Sequence, residues 1–154
     1  MSKEILITGG AGFIGSHLAD ELIAHGYRVR VLDAMLPQVH GDAERPPYLN
    51  PKVNLIRGDI TDSRVVNAAC RGVDAIYHFA ARVGVGQSMY EIDQYTSTND
   101  RGTAVLLETL INQPVERLVV ASSMSVYGEG MYQRQDGTLI EGKERSLWQL
   151  AVGK

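Results

Sequence analysis

Short apolar runs alternate along the chain with segments in which apolar residues recur at helical spacing. The runs have the length and near-continuous hydrophobicity of buried strands, and they are Glu4–Thr8, Arg28–Asp33, Val53–Asp59, Asp74–Ala80 and Arg117–Ser123. Helical spacing is found in Phe13–Gly26, in Ser63–Gly72 and roughly from Tyr90 to Ile111. Strands that alternate with helices predict parallel pairing with right-handed crossovers. We therefore expect an α/β fold, a doubly wound parallel sheet of about five strands covered on both faces.

Two segments lack either pattern. Leu36–Pro51 holds four of the five prolines and is interpreted as a surface loop. From Gly128 onward the chain is rich in Gly, Gln, Glu and Arg, so we interpret residues 131–154 as an irregular tail. A chain of 154 residues favours a single domain, which we place at residues 1–130.

Composition removes several classes of partner. The net charge is −3 and the arginines are scattered, so a nucleic-acid partner is not expected. No apolar stretch approaches the length of a membrane span, and the N-terminus lacks the pattern of a signal peptide. The single cysteine, Cys70, cannot form an internal disulfide and is interpreted as a small core residue. These features favour a reducing compartment, and we expect a cytoplasmic protein.

The turn between the first strand and the first helix, "TGGAGFIG" (Thr8–Gly15), carries the clearest chemistry. It contains Gly10-x-Gly12-x-x-Gly15 and, in an overlapping frame, Gly9-x-x-Gly12-x-x-Gly15. Such glycines allow a tight turn, close approach of the backbone to a pyrophosphate, and close packing of helix on strand. The following helix would present free N–H groups to the phosphates. The sequence therefore predicts dinucleotide binding here, with a purely structural glycine turn as the alternative.

An acidic residue ends the second strand. Asp33 follows Gly15 by 18 residues, where a carboxylate can accept hydrogen bonds from the ribose hydroxyls of an adenosine. It would repel a 2′-phosphate, and neither Ala34 nor Met35 offers a cation to bind one. We therefore favour NAD over NADP as the cofactor, with a simple strand-end acid as the alternative for Asp33.

Several motifs together resemble one family. "ITGGAGFIGSHLADEL" resembles the opening of the extended short-chain dehydrogenase/reductase family and, more narrowly, of NAD-dependent nucleotide-sugar epimerases and dehydratases. The segments "GDITD", "YHFAARVGVGQS", "NDRGT" and "SSMSVYG" follow in the order of that family. The resemblance covers about residues 4–130 and implies a Rossmann-like domain, incomplete relative to the family because a sixth strand and a substrate domain are expected to be absent.

The resemblance also implies a cofactor site. "GDITD" resembles the segment whose acid and next residue meet the adenine, and "NDRGT" resembles the helix motif whose asparagine steadies the site. The end of the fourth strand is expected to line the cofactor. The implied cofactor-binding residues are Gly9, Gly12, Phe13, Ile14, Gly15, Asp33, Asp59, Ile60, Phe79, Ala80, Ala81 and Asn99.

Some of these positions have plainer alternatives. Asp59 could only cap a turn, and Asn99 could only bond to backbone. His78, on an apolar strand, is interpreted as a core histidine with satisfied hydrogen bonds. Val83 stands where many members of the family have a lysine, so one cofactor contact of the family is not expected here.

The catalytic expectation centres on Ser123, which matches the active-site serine of the family. Ser125 is a nearby second hydroxyl, and Tyr127 belongs to the same motif in a positional role. A strand-end hydroxyl that bonds to backbone is the alternative for Ser123. The family's base is a tyrosine with a lysine four residues later, and no such pair follows Ser123. The pair Tyr48–Lys52 contains Pro51 and is interpreted as chance.

Two functions remain open at this point. The first is the NAD-binding portion of a nucleotide-sugar epimerase or dehydratase, which acts by transient hydride transfer from sugar to NAD. Its base would lie in further sequence or on another polypeptide, and the tail resembles an insertion found in some members of the family. The second is a catalytically silent, truncated module that binds NAD or serves as an interaction protein. A further alternative is that the chain binds neither ligand, because loss of the sheet's edge leaves the site loose. A nucleotide sugar is expected as partner if the missing sequence is supplied, and self-association is expected through the sheet edge.

Overall fold

A computed structural model describes residues 2–123, 126, 131–141 and 148. The chain divides into two compact units, Met1–Ala121 and Ser122–Lys154. The domain limits expected from the sequence, 1–130 and 131–154, stay a prediction. In the part of the chain that the structure describes, no helix is long and apolar enough to cross a membrane.

A five-stranded sheet forms the centre of the first unit. Its strands are β1 (Glu4–Thr8), β2 (Arg28–Asp33), β3 (Asn54–Arg57), β4 (Ala75–His78) and β5 (Arg117–Val120). All pairings are parallel, and the spatial order is β3-β2-β1-β4-β5. Thr8 pairs with Leu32 on one side and with His78 on the other, so the carboxyl ends of the three central strands lie side by side. The predicted fold class is confirmed.

Three strands end earlier than the sequence indicated. The predicted strands Val53–Asp59, Asp74–Ala80 and Arg117–Ser123 shorten to β3, β4 and β5. After β3 the chain turns, because the Asp59 carboxylate accepts hydrogen bonds from both the backbone and the hydroxyl of Thr61 at 2.8 Å. After β4 the backbone N–H of Ala80 donates to the side-chain hydroxyl of Thr8 in β1 instead of to a backbone carbonyl of that strand. Side-chain partners thus take over where the apolar pattern still favoured a strand.

The sheet is covered on both faces. One core cluster packs side chains of the sheet such as Leu6 and Ile76 against Val66, Ala69 and Leu106 of helices α3 (Ser63–Cys70) and α6 (Gly102–Asn112). The other packs Ile7, Val29 and Val31 against Ala19 of helix α1 (Phe13–Ala24) and against Met35, Leu49 and Val53. Cys70 lies in the first cluster, 1% exposed, and burial raises the pKa of its thiol to about 11. Its interpretation as a core residue is confirmed.

The helix expected from Tyr90 to Ile111 is not uniform. A short helix, α4 (Val85–Ser88), precedes this range, and within it the chain forms a second short helix, α5 (Ile92–Tyr95), and then a π-helical stretch at Thr96–Arg101 that leads directly into α6. A π-helical turn carries an extra residue, which shifts the face on which side chains point. This extra residue lies in the segment that carries Asn99, and apolar periodicity alone does not reveal such a shift.

The segment Leu36–Pro51 is mostly exposed, as predicted, but it is not only a surface loop. It contains a short helix, α2 (Pro37–His40), and Leu49 is 3% exposed against the second core cluster. Just before it, Met35 has a left-handed backbone, with φ at 53°. This turn redirects the chain at the end of β2.

Residues 131–141 of the second unit form a hairpin, so the prediction of an irregular tail is wrong for these residues. Strands β6 (Met131–Gln133) and β7 (Leu139–Glu141) pair antiparallel. The Asp136 carboxylate accepts a hydrogen bond from the Thr138 N–H at 2.9 Å, and Gly137 has φ at +84°. An Asp-Gly pair between two short apolar runs favours such a turn, and this signal was missed in a segment rich in polar residues.

Candidate functional site

The glycine loop lies against the end of β4. Gly9 has φ at +66°, and a Cβ placed on it would lie 2.7 Å from the backbone nitrogen of Ala80. A Cβ on Gly15 would lie 2.5 Å from the Cα of Gly10. Any side chain at these two positions would push the neighbouring backbone segments apart. The absence of a side chain is therefore what allows the tight turn and the close packing expected for two of the glycines.

Gly12 differs from these two glycines. Among the described atoms, a Cβ on Gly12 would meet only the Gly9 carbonyl oxygen within 4 Å, at 3.3 Å. This contact is tight, so the Gly9 carbonyl would have to shift by a few tenths of an ångström, but no other described atom stands within 4 Å of a Cβ at Gly12. The residue is the N-cap of α1, and none of the described side chains caps that end of the helix. The first N–H groups of α1 are thus available to an anion, as at many phosphate-binding helix ends.

A cavity of about 320 Å³ lies over the carboxyl edge of the sheet. The sequence-predicted cofactor residues, except Asn99, line it together: Gly9, Gly12, Phe13, Ile14, Gly15, Asp33, Asp59, Ile60, Phe79, Ala80 and Ala81. These residues come from the ends of parallel strands and from the start of α1. A crevice beyond the carboxyl ends of the strands is the usual ligand site of open α/β sheets.

Asp33 is held firmly at one end of this cavity. The residue is 9% exposed, one carboxylate oxygen accepts a hydrogen bond from Ala11 N–H at 3.0 Å, and the other accepts from Met35 N–H at 2.9 Å. The carboxylate thus joins the glycine loop to the turn after β2. Asp33 thus has the structural role at the strand end that was the alternative to cofactor binding. The residue also lines the cavity.

Asp59 and Ile60 lie on the adjacent wall. The Asp59 side chain caps the turn at Thr61, as its plainer interpretation expected, while the residue still lines the cavity. Ile60 is 4% exposed, and a Cβ on Gly102 would lie 2.5 Å from its Cγ2. The start of α6 therefore packs closely behind this wall.

His78 links β1, β4 and α6 beneath the cavity. Its Nδ1 lies 2.7 Å from the Thr8 hydroxyl and its Nε2 lies 3.0 Å from the Thr103 hydroxyl. Thr103 donates its own proton to the Asn99 carbonyl at 2.5 Å, so it must accept from Nε2–H, and Nδ1 then accepts from Thr8. Burial lowers the pKa of His78, which suits this neutral ring. The interpretation of His78 as a satisfied core histidine is confirmed.

Asn99 lies behind the cavity. Its side-chain oxygen accepts from the backbone N–H of Arg82 at 2.8 Å, and its side-chain NH₂ donates to the Arg82 carbonyl at 3.1 Å. Both bonds go to backbone, as the alternative for Asn99 expected, but to the loop after β4 and not to its own helix. Because the next residue in that loop, Val83, lines the cavity, Asn99 positions part of the cavity wall.

This geometry agrees with the comparisons with known proteins. The model of the NAD dependent epimerase/dehydratase family matches residues 5–151. The chain belongs to this family. It is 38% identical over 156 residues to dTDP-L-rhamnose 4-epimerase of Burkholderia thailandensis, covering 99% of this chain and 43% of that protein.

Solved structures of the same family share the fold. A UDP-glucose 4-epimerase from Brucella ovis in complex with NAD superposes with a TM-score of 0.72 and 29% identity, over 87% of this chain and 39% of that one. A dTDP-glucose 4,6-dehydratase from Streptomyces venezuelae with NAD and TYD bound gives a TM-score of 0.71 and 35% identity, over 90% of this chain and 45% of that one. The chain thus spans less than half the length of these relatives.

Ser123 belongs to the second unit of this epimerase/dehydratase-family chain. The residue is exposed, and its carbonyl accepts a hydrogen bond from the Val126 N–H at 3.2 Å. Ser125 and Tyr127 lie outside the described residues. The catalytic role of Ser123 stays a prediction. Val83, which stands at the position of the frequent lysine, lines the cavity and is 81% exposed.

Sequence reasoning missed two residues beside Asp33. His40 lines the cavity, and the Tyr48 hydroxyl donates to the carbonyl of Ala11 in the glycine loop at 2.9 Å. Both residues lie in the proline-rich segment, which has no periodicity from which their positions could be predicted. Tyr48 therefore has a structural role of its own. The interpretation of the Tyr48–Lys52 spacing as chance stays a prediction.

Proposed function

We propose that the chain is the NAD-binding portion of a nucleotide-sugar epimerase or dehydratase. The observation that supports this most strongly is the continuous cavity wall formed by the glycine loop, Asp33, Asp59 and the end of β4 in a chain of an NAD-dependent family. The bound NAD⁺ would accept a hydride from a sugar carbon and later return it. The residues of this chain bind and orient the cofactor.

The residues present fit a dinucleotide. The start of α1 offers N–H groups and the positive end of a helix dipole to a pyrophosphate. Gly12 leaves open the space that a phosphate close to the backbone would occupy, and the apolar side chains of Phe13, Ile14 and Ile60 border the same cavity. In this arrangement Asp33 would accept hydrogen bonds from the adenosine ribose.

The same carboxylate supports the finer proposal that NAD is preferred over NADP. Asp33 is nearly buried and fixed by two backbone N–H groups, so it cannot turn away from a 2′-phosphate. The repulsion between two negative charges in a partly desolvated site then favours the 2′-hydroxyl.

Calorimetric titration with NAD⁺ tests both statements. Gly12→Val should weaken binding at least about tenfold, because the side chain would enter space left for the ligand. Gly86→Val is the matched control, since a Cβ on Gly86 meets none of the described atoms within 4 Å and Gly86 does not line the cavity. Asp33→Asn should reduce the preference for NAD⁺ over NADP⁺. No heat with NAD⁺ at millimolar concentration would contradict the proposal.

The reaction would also need a sugar hydroxyl to be held and deprotonated. Ser123 is proposed to hydrogen-bond the sugar oxygen, by its match to the serine of the family. No tyrosine in the sequence after Ser123 has a lysine four residues later. This observation favours a second candidate, a module that binds NAD without turnover on its own.

A further inference from the structure

A second cavity lies at the amino edge of the five-stranded sheet, opposite to the carboxyl edge that holds the candidate cofactor site. Its volume is about 420 Å³, within the range of small-molecule sites. The first residues of β1, β2 and β3, which are Glu4, Arg28 and Asn54, line it, and the parallel register places Glu4 beside Arg28. The proposed NAD binding uses none of the residues that line this amino-edge cavity.

The charged residues of the amino-edge cavity are three cations, Arg28, Arg30 and Lys52, and one acid, Glu4. The Glu4 carboxylate forms ion pairs with both guanidinium groups, at 2.8 Å from the Nε of Arg28 and 3.4 Å from the Nη2 of Arg30. Asp74, whose carboxylate accepts a hydrogen bond from the Glu4 backbone N–H at 2.7 Å, does not line the cavity. The lining side chains therefore carry a net charge of +2, in a chain whose net charge is −3.

Arg30 gives this cavity a positive charge that the fold holds in place. Its side chain is 17% exposed, and its Nη1 donates hydrogen bonds to the backbone carbonyls of Ala69 at 2.7 Å and Arg71 at 3.0 Å, at the end of α3. Its Nε is buried and has no hydrogen-bond partner among the described residues. A guanidinium stays protonated in proteins, so this charge is nearly desolvated and only partly compensated by Glu4. An anion in the cavity would compensate it further.

Arg28 and Lys52 are the cations that a ligand can reach. The Arg28 side chain is 66% exposed, and no hydrogen bond within the described part of the chain uses its two Nη atoms. Lys52 is exposed, and its ammonium has neither an ion pair nor a hydrogen bond among the described residues. Asn54, also exposed, adds a side-chain NH₂ donor. The cavity therefore offers several N–H donors to an oxyanion.

We propose that the amino-edge cavity binds a phosphate group, which Arg28 and Lys52 hold over the fixed charge of Arg30. A phosphate monoester at neutral pH carries about 1.5 to 2 negative charges, which match the net charge of the lining side chains better than one carboxylate does. Guanidinium and ammonium groups both suit phosphate oxygens as donors. The apolar side chains of Ile23 and Val29 line the same cavity and would border the organic part of a phosphate monoester.

The test uses the whole chain with inorganic phosphate as the probe, at about pH 7.5 and constant ionic strength, with chloride as the compensating anion. Backbone amide signals in two-dimensional NMR spectra locate the bound phosphate, and saturable shifts are expected at residues 28–30 and 52–54. Lys52→Gln and Arg28→Gln should each raise the dissociation constant about fivefold, the upper end for an exposed charge pair. Lys52→Arg keeps the charge and should stay within about twofold of the unaltered chain. Lys52→Gln removes no side-chain contact among the described residues, so it should fold normally.

Lys3→Gln is the matched control. Lys3 is half-exposed, precedes β1 and pairs with Glu116, but it does not line the cavity, so this variant should bind phosphate within about twofold of the unaltered chain. Phenyl phosphate distinguishes the sources of the phosphate group: tighter binding than inorganic phosphate indicates a monoester as the ligand, and equal binding indicates free phosphate.

Three results would overturn the proposal: shifts that do not saturate and spread over the chain, shifts confined to residues 12–16 at the start of α1, or the same dissociation constant for Lys52→Gln as for the unaltered chain. The outcome does not depend on NAD⁺ binding, because the two cavities share no lining residue.

Discussion

Gly9 shows how one residue joins the loop to the sheet. Its positive φ and its close approach to the backbone of Ala80 are separate constraints. Gly72 shares only the first, since its φ is +70° and a Cβ added there would meet none of the described atoms within 4 Å. We predict that Gly72→Ala lowers the free energy of unfolding by about 1 kcal/mol, the cost of a left-handed backbone. Gly9→Ala should lower it by about 3 kcal/mol, since the close approach adds to that cost.

Urea denaturation of the two variants under one set of conditions checks this difference. Equal losses of stability would mean that the backbone around Ala80 yields to the added methyl group. A much larger loss for Gly9→Ala would support a loop whose position depends on direct contact with the end of β4. In that case the glycine at position 9 would be needed for packing within the protein, in addition to its proposed place in the cofactor site.

At the scale of single residues, the sequence predicts the cavity well where spacing has a physical cause. The glycines and Asp33 are set by the geometry of a strand-turn-helix unit, so their approach to each other could be predicted. His40 and Tyr48 could not, because no periodic element connects them to Asp33. Their positions depend on the turn at Met35 and on the buried Leu49, which are features of tertiary structure.

At the scale of elements, the π-helical stretch and the loop after β4 are held together by Asn99. Both polar groups of its side chain bond to the backbone of Arg82. We predict that Asn99→Ala lowers the free energy of unfolding by about 1–3 kcal/mol, because two backbone groups lose their partners. Hydrogen exchange at the Arg82 amide should accelerate. Asp100→Ala, at an exposed residue of the same π-helical stretch, is the control and should leave that amide unchanged.

The positions of elements could be predicted more reliably than their ends or their regularity. β1 and β2 begin and end at the predicted residues. Turn residues mark these ends in the sequence, since the glycine loop follows β1 and Gly26 precedes β2. β3 and β4 end early where the side chains of Asp59 and Thr8 take over hydrogen bonds. The π-helical stretch could not be predicted, since apolar spacing does not reveal an extra residue in a helical turn. The hairpin at residues 131–141 had a local signal in Asp136-Gly137.

At the scale of the whole molecule, the alignment of the strand ends brings the candidate site together. The register places Thr8 beside both Leu32 and His78, so the residues that follow β1, β2 and β4 meet at one edge. Residues far apart in the chain thereby line one cavity, which is the proposed dinucleotide site. The chemistry that would use the bound cofactor needs further groups, and Ser123 is the one that the sequence suggests.

The isolated chain should therefore bind NAD⁺ without epimerising or dehydrating a nucleotide sugar. A general base contributes about 10²–10⁴-fold to such a reaction, and no Tyr-x-x-x-Lys pair follows Ser123 in the sequence. Incubation of the purified chain with NAD⁺ and UDP- or dTDP-sugars, followed by chromatographic separation of the sugars, measures this directly. The matched control is a Ser123→Ala variant, which should give the same background as the unaltered chain. Product that depends on Ser123 would show that another group of this chain acts as the base.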